Sequence, residues 1–315
     1  MWFKQIQLFQ LTESMDLSIN HLMEKLAPLA FRPCLPSMEV SSGWISPVDS
    51  EDENAPLVRS INGYMMLCLQ VEEKILPAAV IRHELANKIK KIEKNEDRKI
   101  YQKEKLTLKD EMKMNLLPRA FSKFTKLYAY IDIRNRRMII GSANAKKTEL
   151  FLNLFKKSGS ENISAIEVNK LSPVMTHWIQ HQNYPSAFSI EKSAILQDPN
   201  QKNRIIRCQQ QDLFAASIQS LIKDGCVIKQ IAANWQDRLS FVLSDDFILK
   251  NLKYQDEVIA AAKEMEPETR EQQFDADFLI MTDMLTQLID ELLIVFIKKP
   301  SDETIHQVVS LIKTA

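Results

Sequence analysis

The segment from Pro77 to Pro118 limits what this chain can fold into more than any other, because it reads as helix and yet has little apolar surface to bury. Proline suits the first turn of a helix. Val80, Ile81, Leu85, Ile89 and Ile92 then recur at the three- to four-residue spacing of one helical face. A wholly polar stretch, Asn95 to Lys99, interrupts the pattern, and a second start signal stands at Thr107 with Asp110 three residues on. Leu106, Leu108, Met112 and Leu116 supply apolar positions until Pro118 stops the run. The expectation is one long helix or a helical hairpin. Its single stripe cannot line a core on all sides, so the segment projects from the body as an arm.

Charge singles out the same region. The chain carries 41 basic and 41 acidic side chains and a formal net charge of +0, a balance that by itself argues against polyanion binding. The sum hides a segregation. Arg82 to Lys126 holds fourteen Lys and Arg against seven Asp and Glu, about +7, whereas Gln255 to Ala315 holds thirteen acids against five bases. Two readings are open. A charged outer face of mixed sign is what a solvated helix presents to water; equally, lysines and arginines so placed can meet the phosphates of a polyanion, with affinity from counterion release. Duplex DNA is the simplest such partner, with RNA or an acidic protein as the others.

The remainder reads as an α+β chain with mixed sheets and packed helices. Trp2–Leu11 and Tyr64–Val71 are strand-like, Ile19–Leu29 is helical, and Ser46–Pro56 is an acidic loop. Lys126–Ala143 predicts a hairpin turning around Asp132–Arg137, followed by a helix over Ala145–Lys157. Ser158–Asn162 and Gln197–Asn203 are loop-like boundaries. Val227–Ala232, Leu239–Leu243 and Phe247–Tyr254 follow as strand-like runs, and Phe278, Met281, Leu285, Leu288, Leu292 and Phe296 predict a last amphipathic helix. This gives an N-terminal α/β body (1–76), a basic helical arm (77–125), a continuation of the body (126–160) and a C-terminal α+β region (161–315). Only 5 glycines count against turn-dense all-β folds and glycine-rich phosphate loops. No repeat recurs at a fixed period.

Chemistry of the enzymatic kind is hard to find. The four cysteines, Cys34, Cys68, Cys208 and Cys226, form no CxxC pair, which argues for reduced thiols in a cytosolic protein. No signal peptide is read at the N-terminus, and Leu285–Ile297, with Asp290 and Glu291 in its middle, falls short of the ~20 apolar residues that cross a bilayer. His177 and His181 share a helix face but lack the glutamate that follows the first histidine in zinc-protease helices, and no third ligand is evident. Asp275 and Asp277 are candidates for a Mg²⁺-dependent nuclease, with the plainer reading that they are cap and first-turn acids of the last helix. Trp2, Trp44, Trp178 and Trp235 stand singly in apolar settings and read as core or interface side chains. No GxSxG, GxxxxGK[ST], GxGxxG or EF-hand loop occurs. The sequence therefore predicts no catalytic site, no metal and no cofactor.

Several stretches, in order from end to end, together resemble one family. They are Trp2-Phe3-Lys4, Glu72-Glu73-Lys74-Ile75-Leu76-Pro77, Leu116-Leu117-Pro118-Arg119-Ala120-Phe121-Ser122, Ala143-Asn144-Ala145-Lys146-Lys147, Trp235-Gln236-Asp237-Arg238, Leu249-Lys250-Asn251-Leu252-Lys253 and Phe274-Asp275-Ala276-Asp277-Phe278. The set is similar to the bacterial recombination-associated protein RdgC family. That resemblance implies a non-enzymatic protein that binds DNA with little sequence specificity, prefers duplex over single strands and restrains RecA-promoted strand exchange. It implies a homodimeric ring closed at two interfaces around a basic channel, and a nucleoid-associated location in the cytoplasm with no membrane attachment.

By the same resemblance, Leu116–Ser122 corresponds to the segment that closes the ring, so the dimer contact falls to Phe121 flanked by Leu117 and Pro118. The alternative is that Phe121 is an internal core residue after a helix stop. Channel-lining cations are assigned by sign and region to Lys74, Arg82, Lys88, Arg98, Lys113, Arg119 and Lys123. One departure stands out: some relatives carry a basic pair ahead of Gln-Asp-Leu, where this chain has Gln209-Gln210-Gln211-Asp212-Leu213. Losing two lysines removes up to two phosphate contacts, roughly 0.9 of salt slope each. It leaves Lys202, Arg204 and Arg207 as the local candidates. The rivals to this reading are the nuclease at Asp275 and Asp277 and a protein-only adaptor whose basic arm binds acidic partners.

Overall fold

The computed structural model describes residues 1–49, 51–52, 54–159, 163–201 and 203–297. Parts of three predicted loops (residues 50 and 53, 160–162, and Lys202) lie outside them. The N-terminal half builds a seven-stranded sheet from β1 (Gln7–Leu11), β2 (Val40–Ile45), β3 (Val58–Ile61), β4 (Tyr64–Ile75), β5 (Phe121–Asp132), β6 (Arg137–Ile140) and β7 (Ile163–Ala165), in the order β2-β4-β5-β6-β1-β7. β3 shares with β2 the same edge of the long β4. Helices α1 (Ile19–Leu26), α2 (Ala78–Glu96), α3 (Gln102–Leu116) and α4 (Ala145–Lys157) belong to this half. The C-terminal half adds α5 (Leu171–His181), β8 (Phe188–Gln197), β9 (Ile205–Gln209), α6 (Ala216–Lys223), β10 (Val227–Trp235), β11 (Leu239–Ser244), β12 (Leu249–Tyr254), α7 (Asp256–Lys263) and α8 (Arg270–Phe296). Its five strands run in the order β12-β11-β10-β8-β9.

The α+β class holds, but every ladder between these strands is antiparallel, which corrects the expectation of mixed sheets. Helical crossovers do occur. In each, other strands lie between the two that the helix joins: β6, β5 and β4 separate β1 from β2 across α1, β1 separates β6 from β7 across α4, and β8 separates β9 from β10 across α6.

Strand alternation explains the two cores. On β4, Met65, Leu67 and Leu69 point to one side, where Leu22 and Leu26 of α1 and Phe151 and Phe155 of α4 cover them. Trp44 meets Phe151 edge-on there, with ring centroids 5.0 Å apart. Met66 points to the other side and joins Tyr130, Trp178, Trp235, Phe241 and α8 in the larger core. α8 touches both sheets: Tyr64 Oη donates to Thr286 Oγ1 at 3.2 Å, and Trp235 Nε1 donates to Glu291 at 2.8 Å. A helix gripped in this way is apolar around most of its girth, which is why the run from Phe278 to Phe296 was legible.

Several boundaries move. The polar break resolves the first segment into a hairpin, α2 and α3 packed on each other. Thr107 does not start the second helix. It lies inside α3, its hydroxyl donating to the carbonyl of Lys103, because the turn before α3 is fixed by side chains farther away than any capping motif reaches. Asp275 and Asp277 are not caps either. Thr269 caps α8 through a capping box with Gln272, a full turn earlier. The first strand begins at Gln7 instead of Trp2, and the residues before it do something else. Ile6 exchanges backbone hydrogen bonds with Leu249 (2.8 and 3.1 Å), and Leu252 N–H donates to Lys4 at 2.9 Å, so this segment continues the second sheet past β12 before β1 enters the first.

Candidate nucleic-acid interface

The hairpin of α2 and α3 grows out of the strongest ladder in the protein. β4 and β5 pair without interruption from Tyr64–Asp132 to Ile75–Phe121, and the chain between their ends is the two helices. Asp97 turns the tip in a left-handed conformation (φ 48°). Arg98 forks over it, its two Nη atoms donating to Glu104 at 2.8 and 2.7 Å and its Nε to Glu96 at 2.7 Å. Glu104 chiefly, and Glu96 with it, hold this guanidinium well above its ordinary pKa. Ile100 N–H donates to Glu93, and its side chain is buried.

The seven cations assigned to this region fall into two groups. Lys88 pairs with Glu111 at 2.9 Å, Lys113 with Glu39, Arg98 with Glu96 and Glu104, and Lys74 lies 3.8 Å from Glu72 with a side chain only 14% exposed. Arg82, Arg119 and Lys123 are exposed and have no ion-pair partner among the described residues. The surface pairs are weak, about 0–1 kcal/mol each, so a phosphate can compete for those lysines. In the C-terminal half Arg204 stands 3.5 Å from Asp198, Arg207 is exposed on β9, and Lys202 lies outside the described residues.

At the base of the hairpin the apolar side chains divide as sharply. Phe121 is 84% exposed, its cross-strand neighbour Ile75 is 48% exposed and Phe124 is 56% exposed, whereas Leu117 is buried at 2%. Phe121 is therefore not an internal core residue. Leu117 packs within its own chain and leaves Phe121 and exposed Pro118 on the surface. Beneath them Glu72 is a buried carboxylate that accepts the Ser122 hydroxyl and the Cys34 N–H (2.7 Å). Those two donors, the serine first, hold its pKa below the usual range.

Two surface clefts gather cations from distant parts of the chain, of which sequence reasoning singles out only Arg207. One, about 640 Å³, lies on the second sheet and is lined by Lys4, Arg207 and Lys253 with a single acid, Glu191. The other, about 440 Å³, is lined by Gln5, Lys126, Asn144 and Lys147 at the start of α4. Lys4 and Lys253 are 249 positions apart in the chain, so only the seam between Lys4 and Leu252 brings them together. No local pattern marks that contact.

The alternative chemistries do not converge. Asp275 is held by Arg59, and Asp277 accepts from the amino group of Met1 and from Gln273. Two positions apart on one helix, they point about 200° from each other. The rings of His177 and His181 meet at a tilt of 41° with centroids 4.4 Å apart, and no group of three or more His, Cys, Asp or Glu among the described residues is arranged to hold a metal. The described cysteines are free thiols, Cys68 pushed up to about 12 by burial. No described helix is long and apolar enough to cross a membrane.

Comparison with known proteins places these features in context. Residues 1–299 match a family model described as "RdgC: Putative exonuclease, RdgC". Recombination-associated proteins RdgC of Yersinia enterocolitica, Yersinia pestis and Yersinia pseudotuberculosis are each 36% identical over 295 residues, which is 93% of this chain and 97% of theirs.

Proposed function

The chain belongs to the RdgC family of recombination-associated proteins, and from that premise we propose that it binds duplex DNA through the phosphates, without reading sequence, and restrains RecA-promoted strand exchange by occupying the duplex. Two copies close into a ring, with Phe121, Pro118 and Ile75 at one closing contact and the hairpin of α2 and α3 as a projecting basic arm. Single strands bind more weakly, and the protein resides with the nucleoid. The observation that carries this reading is the sorting of charge: Lys4, Arg82, Arg119, Lys123, Arg207 and Lys253 are exposed without carboxylate partners among the described residues, while the acids concentrate in α7 and α8. Unpaired cations attract a polyanion at long range, and each phosphate they neutralise releases counterions. Exposed aromatic and aliphatic side chains around Phe121 favour a second protein surface over water.

Fluorescence anisotropy with two labelled duplexes of unrelated sequence across a salt series tests it. Steep log–log slopes that agree between the duplexes are expected. Absence of binding at low salt would remove the DNA reading and turn the arm toward an acidic protein partner. Incubating an end-labelled linear duplex with the protein and Mg²⁺ checks the exonuclease of the family description; the expected result is an intact strand.

A further inference from the structure

The second sheet covers one face with α5, α6 and α8 and leaves the other open. Leu196, Ile231 and Leu243 point inward, while Ser193, Gln230, Ala232, Ser240 and Val242 line an open trough. We propose that this trough is a saddle for duplex DNA, in which Arg207 on one rim and Lys4 and Lys253 on the other engage phosphates of the two strands. The inference rests on the DNA-binding reading above and names a surface that carries it apart from the helical arm.

Three observations converge on it. First, the rims are the right distance apart. Arg207 is on β9 and Lys253 on β12, the two outer strands, with β8, β10 and β11 between them. Four spacings of ~4.8 Å set the outer strands about 19 Å apart across the sheet, and because Arg207 is level with Ile195, Gln230 and Ser244 while Lys253 is level with Ser240, the two cations are also offset by about 13 Å along the strands; they therefore span the trough obliquely, on the scale of a B-form duplex with its ~12 Å and ~6 Å grooves. Second, the floor mixes short polar side chains (Ser193, Ser240) with small and aliphatic ones (Ala232, Val242, Ile195), and its one aromatic residue, Phe241, is buried, so nothing bulky stands up to keep a duplex off. Third, the rim cations are uncommitted. None of Lys4, Arg207 and Lys253 has an ion-pair partner among the described residues, in contrast to Lys88, Arg98 and Lys113 on the arm. The sheet alternation that buries Cys208 turns Arg207 outward, and the pairing of Ser240 with Lys253 turns that lysine to the same open face. Glu191 is the one acid on the lining, and it opposes the phosphates.

The test uses the full chain, with a labelled duplex and one of its single strands followed by anisotropy across a salt series. The variants are the double substitution Arg207→Ala with Lys253→Ala, the single Glu191→Gln, and Lys223→Ala on α6, which packs on the covered face. The double variant should lower the duplex slope by about 1.8, at roughly 0.9 per lost phosphate contact. Glu191→Gln should tighten binding at each salt concentration, and Lys223→Ala should match the wild type. If the double variant melts below the wild type, Arg207→Lys with Lys253→Arg decides, since it must restore the slope. A wild type that binds duplex while the double variant keeps the same slope overturns the saddle and leaves the DNA reading intact. A wild type that binds no duplex overturns both. An equal loss of slope for duplex and single strand overturns the two-rim geometry.

Discussion

Gly43 lies where any Cβ would come within 2.3 Å of the Cα of Phe31, a backbone atom that cannot step aside alone. The close approach lets Phe31 N–H reach the carbonyl of Trp44 at 2.8 Å. Gly43→Ala should therefore separate the segments and destabilise the protein by about 1–3 kcal/mol, read as a lowered thermal midpoint. Glu72 makes a different demand. Its carboxylate takes two donors, and glutamine can accept with only one of its two terminal atoms, so Glu72→Gln should cost about 1–3 kcal/mol at neutral pH. Because the folded pKa is lowered, the carboxylate's contribution is complete above the unfolded value and disappears as pH falls through the folded one. Thermal melts should show the gap between wild type and variant closing below about pH 4. A gap that is constant from neutral to acid pH would mean that the charge on Glu72 contributes nothing.

The hairpin of α2 and α3 shows what side chains do for an element with little core of its own. Removing the fork by Arg98→Ala should leave the global melting transition in place and speed hydrogen exchange around residues 97–101, since the clamp acts on the turn and not on the sheets. The same clamp explains a misplaced boundary. Thr107 has the local pattern of a start, but a turn held by Arg98, Glu96 and Glu104 fixes α3 from Gln102, and capping patterns do not contain that information. α4 was legible to the residue, because Asn144 accepts from Lys147 N–H and the apolar positions Phe151, Leu154 and Phe155 keep helical period. The turn between β5 and β6 at Asp132–Arg137 was equally plain, although β5 begins at Phe121, five residues before the predicted start and within the stretch read as the helical arm. β8 and β9 were not, because Glu191, Lys192 and Gln209 break the apolar alternation on strands whose pairing partners supply the order. Of the saddle cations Arg207 was a candidate from its region, whereas Lys4 and Lys253 escaped for the same reason on a longer scale, and Phe121 was singled out only through family resemblance, since a phenylalanine after a helix stop has no spacing that says it faces water.

For the whole molecule, the proposed ring makes a statement about shape that mass alone does not. Sedimentation should give twice the 36.4 kDa chain mass. Phe121→Asp should keep that mass, held by the other interface, while raising the frictional ratio as one closure opens. A monomer instead would mean that a single contact holds the pair. The seam at Ile6 and Leu249 has a consequence in time. About 240 residues separate the partners, and at ~5–20 residues per second a ribosome needs about 12–50 s to deliver the second after the first. Throughout that interval Trp2, Phe3 and Ile6 have no strand to join. The opening segment is thus a waiting apolar stretch in every newborn copy, and the stage of synthesis at which the chain is most exposed to capture by a chaperone or by a neighbouring nascent chain.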